Sequence, residues 1–185
     1  MLRQLSRTSG VAMLVGTLAL SWTASPAAHQ ERSQTFTLAD GRISFAAPPG
    51  FAEMSPELLA RKYPRGGAPR HAVSNAQTTT SIAFDLQDQR VPSNDLERLR
   101  KALMQGIATL PKLKWVANDV RKIANRDWAY LEFTAAAADQ DIHNIILASV
   151  YDGRLLMFNF NSTVAEFPKL EAALRASMAT ITARP

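Results

Sequence analysis

One short stretch of the sequence, Asp139 to His143 (DQDIH), brings together side chains that bind metals. Asp139, Asp141 and His143 alternate along the chain, so on a β-strand their side chains point to the same face. Two carboxylates and one imidazole supply the oxygen and nitrogen ligands that suit a divalent cation. We therefore predict a candidate metal site at Asp139, Asp141 and His143. The alternative is a polar hairpin end, in which the aspartates favour the turn and the histidine faces water.

A second candidate is the basic stretch RKYPRGGAPRH, which follows a predicted helix. Its side chains Arg61, Lys62, Arg65 and Arg70 could recognise an anionic partner, with Tyr63 as an aromatic anchor. The stretch lacks the GxxxxGK pattern of a phosphate-binding loop. The alternative is a solvated, mobile loop with no partner.

A hydrolase is a third kind of chemistry to consider. His71, His143, Asp85 and several serines are present, but no serine lies in a GxSxG motif. The chain has three histidines in all, so a nucleophile, a base and an orienting group have few ways to meet. We therefore expect a non-enzymatic protein without a cofactor, and keep an unrecognised hydrolase as an alternative.

The N-terminus has the layout of a cleavable signal peptide. Arg3 and Arg7 precede an apolar run from Gly10 to Trp22, and small residues follow. Cleavage after Ala27 fits best, because it places Ser25 and Ala27 at the two positions that require small residues. The run is shorter than the roughly 20 residues that cross a bilayer, which favours a cleaved signal peptide. An uncleaved N-terminal anchor is the alternative.

The composition limits the compartment and the partners. There is no cysteine, which excludes a lipoprotein anchor, disulfides and thiolate metal sites. The formal net charge of +5 falls to +3 without residues 1–27, because that segment carries two arginines and no acid. This modest charge and the signal peptide argue against nucleic acid as a partner. We expect a periplasmic or secreted protein with no transmembrane segment in its mature chain.

The rest of the chain has the patterning of one domain over residues 35–185, after a flexible N-terminus at 28–34. Alternating apolar residues predict strands, and Asp40-Gly41 and Asp152-Gly153 are hairpin turns. The predicted strands are 35–38, 42–47, 71–75, 78–87 and four consecutive segments between 114 and 161. Because the later strands are apolar on both faces, we expect them at the centre of a sheet that is covered on both sides.

Three helices complete the prediction. The first begins with Ser55 as its N-cap and Pro56 in its first turn. The second has Asn94 and Glu97 at capping-box spacing and a stripe of apolar residues at helical intervals: Leu96, Leu99, Leu103, Ile107 and Leu110. The third starts near Pro168. An antiparallel sheet whose faces are covered by helices is an α+β sandwich.

At this level the sequence resembles the PsbP/DcrB-like group, which includes PsbP, Mog, DcrB and the Eag chaperones. The resemblance rests on ISFAAPPGF, TTTSIAF, LERLRKAL, IANRDWAYLEF and GRLLMFNF, and it spans residues 35 to 182. Relatives commonly have a glycine in the turn at IANRDW, where Asn125 could take its place, since asparagine tolerates positive φ. The resemblance implies an α/β/α sandwich and a non-enzymatic accessory or binding protein. It carries over no site residue.

These observations lead to one functional expectation. We expect an exported protein that acts on a protein partner in the cell envelope, through its surface or a groove between sheet and helices. A peripheral association with the envelope fits the same expectation. The alternative is a pocket for a small apolar molecule, a lipid or a metal ion. Four aromatic residues fit either function, or simply the core: Trp115, Trp128, Tyr130 and Phe158.

Overall fold

A computed structural model describes residues 33–63, 68–137 and 140–184. The predicted signal peptide, residues 1–27, lies outside these ranges. In chain order the elements are β1 (Thr35–Leu38), β2 (Ile43–Ala46), β3 (Ala52–Glu53), α1 (Pro56–Lys62), β4 (His71–Ser74), β5 (Thr80–Arg90), α2 (Leu96–Ile107), β6 (Lys114–Ile123), β7 (Arg126–Ala136), β8 (Asp141–Tyr151), β9 (Arg154–Thr163), α3 (Phe167–Ala179) and β10 (Thr182–Ala183).

Two antiparallel sheets form the framework. The large sheet has seven strands in the order β3-β4-β5-β9-β8-β7-β6, and the small one has the order β1-β2-β10. The four strands from β6 to β9 follow one another as a meander, which short turns permit. The prediction that β8 and β9 lie at the centre of the sheet is confirmed. The α+β class is confirmed as well.

The two faces of the large sheet are covered differently. One face carries the main core, in which Phe45 of the small sheet and Leu174 of α3 pack against sheet residues such as Phe158. The other face packs under α2, with Leu131 and Phe133 of β7 at the centre of that contact. The sheet is therefore the middle layer of a sandwich. One face of the large sheet packs against α3 and the small sheet, and the other face packs against α2.

The segment that follows β2 shows why the chain leaves the small sheet there. Pro48 and Pro49 cannot donate ladder hydrogen bonds, so the strand ends. Gly50 takes φ 77°, a left-handed conformation that glycine adopts readily, and the Phe51 amide donates to the Pro48 carbonyl at 3.2 Å. Phe51 then turns back and is buried in the core. The turn directs the chain toward α1, whose N-cap is Ser55 as predicted.

Several details differ from the prediction. The N-cap of α2 is Asp95, whose carboxylate accepts the Arg98 amide at 2.9 Å, and not Asn94. Leu110 is not part of that helix, because α2 ends at Ile107 and Leu110 is exposed. In the turn between β6 and β7 the left-handed residue is Ala124, at φ 53°, one position before Asn125.

The short strands β3 and β10 were not predicted. Each has two residues, which is too short for an alternation of apolar and polar side chains to show in the sequence. Both exist because a longer strand holds them in register: β3 pairs with β4, and β10 pairs with β2. As a result, the β1–β2 hairpin belongs to a second sheet that the C-terminus completes.

Candidate functional site

A buried carboxylate lies at the centre of the most polar cluster in the core. Glu132 on β7 has 3% of its surface exposed. Its Oε1 lies 2.8 Å from His143 Nε2 on β8 and 3.0 Å from Arg175 Nη2 on α3. The hydroxyl of Tyr130 donates to its other oxygen, and Arg175 Nη1 donates to that hydroxyl at 3.1 Å. The carboxylate therefore contacts three donor groups from three elements.

The strand geometry explains how these residues meet. Tyr130 and Glu132 are two positions apart on β7, so they share a face of the sheet. Glu132 lies opposite Ile145 and His143 lies opposite Thr134, which places His143 diagonally across from the carboxylate. Arg175 comes from the helix that covers this face. The His143 ring also stacks on Phe167, the first residue of α3, with ring centroids 3.5 Å apart.

The electrostatics of the cluster favour an ionised Glu132. Burial alone would raise the pKa of Glu132, but hydrogen bonds from His143 and Tyr130 and the charge of Arg175 outweigh it and lower that pKa to about 2. Burial and the hydrogen bond to Glu132 raise the pKa of Tyr130 to about 12. Burial opposes the charge of Arg175, but its hydrogen bonds with Tyr130 and Glu171 raise its pKa.

This arrangement fastens α3 to the sheet. Ser162 lies opposite His143 on β9. Its hydroxyl is hydrogen-bonded to Thr80, with 2.8 Å between Ser162 Oγ and Thr80 Oγ1. Glu132 has its lone pairs directed at protein donors, as a buried carboxylate requires. Sequence reasoning missed this cluster. The one acid within the apolar run WAYLEF (128–133) was the available signal, and its partner Arg175 is 43 residues further along the chain.

The residues of the predicted metal site are described in part. Asp141 and His143 lie on the same face of β8, as the alternation predicts, and Asp139 lies outside the described residues. Asp141 Oδ1 is 3.5 Å from Lys112 Nζ, while His143 Nε2 contacts Glu132. Within the described part of the chain, no three acidic or histidine side chains gather as a metal site would require. The metal site therefore stays a prediction that depends on Asp139.

The predicted basic partner site is also only partly described. Arg61 and Lys62 end α1, and Arg65 lies outside the described residues. Lys62 Nζ donates to Ser81 Oγ at 2.9 Å, and burial lowers the pKa of this lysine. Burial disfavours the charged form of the neighbouring Tyr63 as well, which raises the pKa of that phenol. These two side chains pack against the protein itself, while Arg61 stays exposed.

The remaining member of that prediction, Arg70, lies at a separate place beside β4. Its guanidinium hydrogen-bonds Asp88, and its Nε lies 3.9 Å from Asp85. It also lines a surface cavity of about 310 Å³ between the β1–β2 turn and the β8–β9 turn. Opposite charges alternate around this cavity, for example Arg42 and Asp152 at 2.9 Å. A second cavity, of about 380 Å³, lies on the charged outer face of α2.

Exposed apolar side chains gather at one end of the molecule. Leu110, Trp115, Val116 and Val164 are large apolar residues with 37%, 36%, 57% and 42% of their surface exposed. Leu110, Trp115 and Val116 lie within seven consecutive residues, from the end of α2 into β6. The Val164 amide donates to the Asp141 carbonyl, and Asp141 contacts Lys112 of that same segment.

We call Leu110, Trp115, Val116 and Val164, with the flanking Lys112 and Lys114, the apolar end. The other three aromatic residues considered from the sequence, Trp128, Tyr130 and Phe158, are buried in the core. Trp115 is different. Its ring packs edge to face with the Phe133 ring, with 5.6 Å between the ring centroids, and about a third of its surface stays exposed to solvent. It is thus the aromatic residue of this set that a partner can reach.

Comparison with solved structures identifies the fold. The cyanobacterial PsbP (CyanoP) of Synechocystis is similar, with a TM-score of 0.57 and 10% identity, over 88% of this chain and 98% of that one. The Ran-binding protein Mog1p of Saccharomyces cerevisiae is similar with a TM-score of 0.54 and 13% identity, over 82% and 95%. This protein has the PsbP-like fold.

The PsbP-like fold also includes LpqN of Mycobacterium tuberculosis, at a TM-score of 0.53 and 10% identity, with 85% and 88% of the two chains covered. Neither a family profile nor a curated protein sequence matches the chain. At such low identities the likeness establishes the PsbP-like architecture alone. No described helix is long and apolar enough to cross a membrane.

Proposed function

We propose that this protein is an exported, non-enzymatic accessory protein that binds a protein partner in the cell envelope through the apolar end. The observation that carries the proposal is that the large apolar side chains exposed among the described residues all lie toward one end of the sheet: Leu110, Trp115, Val116 and Val164. Exposed apolar residues that gather in one place mark interaction sites, while single ones need no explanation.

The chemistry of the apolar end favours a protein over a membrane. Tryptophan is enriched in protein interfaces, where it fills a pocket of the partner, and Trp115 is the aromatic member of the apolar end. The flanking cations are Lys112 and Lys114, and Asp141 lies 3.5 Å from the first of them. The net charge of the patch is therefore small, whereas anionic membranes attract clusters of several basic residues. We expect a partner segment that presents apolar side chains together with one or two carboxylates.

Two further considerations support the proposal. The N-terminal sequence has the features of a signal peptide, which is the basis for export. Two neighbours in fold have names that describe related roles: Mog1p is a Ran-binding protein, and LpqN is involved in cell envelope biogenesis. A fold alone does not fix a function, so the argument depends on the apolar end.

The proposal is tested by comparing partners of two variants in the host cell. Trp115→Lys with Val116→Lys places charge at the apolar end, and Arg98→Glu with Lys101→Glu changes the charge of the outer face of α2 as the control. We expect a protein that co-purifies with the wild type and the control but not with the first variant. The purified partner should then bind the first variant at least about 10-fold more weakly, a loss of about 1.4 kcal/mol.

If the same proteins co-purify with all three forms, or if the purified partner binds them equally, the proposal is wrong. The non-enzymatic part has a separate test, which is a survey with ester, peptide and phosphate substrates. A hydrolytic activity that His143→Ala removes would contradict it. His143→Ala must be shown to be folded before a loss of activity counts, because His143 also contacts Glu132 and Phe167.

A further inference from the structure

The outer edge of β6 is a long strand edge. β6 has ten residues and is the last strand of the seven-stranded sheet, so within the described parts of the chain no strand pairs with its outer side. The opposite edge of the sheet is β3, which has two residues. An unpaired edge offers a row of main-chain donors and acceptors to another strand, and proteins often block such edges with charged side chains. The charges on β6 therefore decide what can pair with it.

The charged residues of β6 are arranged so that the strand can match a second copy of itself. From Ala117 onward the strand is regular, with Asp119 and Arg121 on the α3 face and Val120 and Lys122 on the α2 face. When two copies pair antiparallel about Val120, each Asp119 lies opposite the Arg121 of the second copy. Lys122 lies opposite Asn118, and Val120 lies opposite its own counterpart. Opposite charges in such pairs are favourable.

Neighbouring registers lack this match. Pairing about Asp119 places that residue opposite itself, and pairing about Arg121 or Lys122 does the same to a cation. Like charges directly opposite one another are destabilising. A shift by a single residue changes which face each side chain joins, so it would also break the continuity of the two sheet faces. Among these alternatives, the register about Val120 is the one that places unlike charges opposite each other, in its two symmetry-related Asp119–Arg121 pairs.

The side chains concerned are accessible to a second copy. The side chains of Asp119 and Arg121 are 48% and 36% exposed, and they contact each other at 2.6 Å within one chain. Arg121 also lies over the Tyr130 ring at 3.5 Å, which holds the guanidinium at the edge of the sheet. In the paired state the two carboxylates and two guanidinium groups form one alternating cluster of four charges. Such a network is more favourable than the isolated surface pairs that it replaces.

We propose that two copies of this protein associate edge to edge through Ala117–Ile123 of β6, in the antiparallel register centred on Val120. The result is a continuous sheet of fourteen strands, twice the seven of one chain. The apolar end remains outside the paired segment, because Val116 is the residue at which the β6–β7 register shifts, before the regular part of the strand. The dimer would carry one apolar end at each end of the seam, and it does not depend on the partner proposed above.

The absence of cysteine from the chain permits a direct test with single cysteine variants. In the full chain, Val120→Cys places one thiol from each copy beside the two-fold axis, so the two thiols lie opposite each other. Directly opposed residues of antiparallel strands have Cα atoms about 4.5 to 5.5 Å apart, within the range that a disulfide spans. We expect a mild oxidant to convert most of Val120→Cys to a covalent dimer, at least about 10-fold faster than the control, as that spacing allows.

The matched control is Val116→Cys, on the same strand and more exposed than Val120. Random collisions would crosslink Val116→Cys faster. In the proposed register its two thiols lie about 27 Å apart, given the rise of a strand. Equal rates for the two variants, or a faster rate for Val116→Cys, would overturn the proposal.

Charge variants in the Val120→Cys background give a second readout. Arg121→Asp places acids opposite acids and should slow dimer formation by about 5-fold or more. Exchanging the two residues, with Asp119→Arg and Arg121→Asp together, restores unlike pairs and should restore the rate. Because Arg121 packs on Tyr130, the thermal midpoint of each variant is measured first. If the exchanged variant is folded and still crosslinks as slowly as the single one, the register is wrong.

Discussion

Arg175 of α3 donates a hydrogen bond from Nη2 to Glu132 Oε1 at 3.0 Å, which joins a helix to a carboxylate in the middle of the sheet. The two residues differ in surroundings, since the side chain of Glu132 is 4% exposed and that of Arg175 is 40% exposed. The arginine therefore reaches from solvent down to the buried charge. This contact, with those of Tyr130 and His143, fixes α3 over the sheet.

Removing the buried carboxylate should destabilise the protein far more than removing the exposed one that shares Arg175. Glu132→Ala leaves His143, Tyr130 and Arg175 without their acceptor, so we expect a loss of about 3 kcal/mol in the free energy of unfolding. Glu171→Ala removes a half-exposed partner of the same arginine and should cost about 0.5 kcal/mol. Urea denaturation measures both. Similar losses for the two variants would mean that the cluster contributes little.

The stabilisation from Glu132 should disappear in acid. Its pKa is about 2 in the folded protein, below the ordinary value of 4.5, so the carboxylate stabilises the fold fully above pH 4.5. The stabilisation falls as pH drops from there toward 2. A shift of this size corresponds to at most about 3 kcal/mol. We expect the difference in unfolding free energy between the wild type and Glu132→Gln to shrink over this range. A difference that does not change with pH would contradict the account.

Tyr130 should titrate late at the alkaline end. Its pKa is raised to about 12 from the ordinary 10, so the neutral phenol stabilises the fold below pH 10. That contribution is lost as pH rises through 12. The ultraviolet absorbance of phenolate should therefore show a step near pH 12 in the wild type that Tyr130→Phe removes. If Tyr130→Phe instead removes a step near pH 10, the phenol is not held by Glu132.

The sequence predicted the strands and turns well because their signals are local. Asp152-Gly153 takes left-handed φ values of 49° and 68°, as its hairpin requires, and the alternation in β5 and β9 follows from which face is buried. The predicted start of α2 at Asn94 is wrong by one residue. Asparagine and aspartate are both good caps, and it is the Asp95 carboxylate that accepts the Arg98 amide.

The functional features were harder to predict, for two reasons. The Glu132 cluster joins residues from β7, β8 and α3, and a single sequence contains no sign of such distant contacts. The apolar end depends on where α2 stops. With Leu110 assigned to the apolar stripe of the helix, its exposure could not be foreseen. By residue type alone Trp115 fits the core as well as Trp128 does, yet only Trp128 is buried there.

The metal prediction for Asp139, Asp141 and His143 has its own test. If these residues hold a cation, titration calorimetry with zinc, manganese and calcium should show binding heat that Asp141→Ala abolishes. Lys112→Ala is the matched control, because it removes the cation beside Asp141 and should strengthen binding. Heat that is absent, or unchanged in Asp141→Ala, would end the hypothesis.

The proposed role depends above all on whether a protein contacts the apolar end in the cell. A photoreactive amino acid at Val116, with the same probe at Gln105 on the exposed side of α2 as control, measures this directly. We expect a discrete crosslinked protein from Val116 alone, lost when Trp115→Lys is added. Crosslinks of equal yield and pattern from both positions, or none from Val116, would contradict a partner at this site.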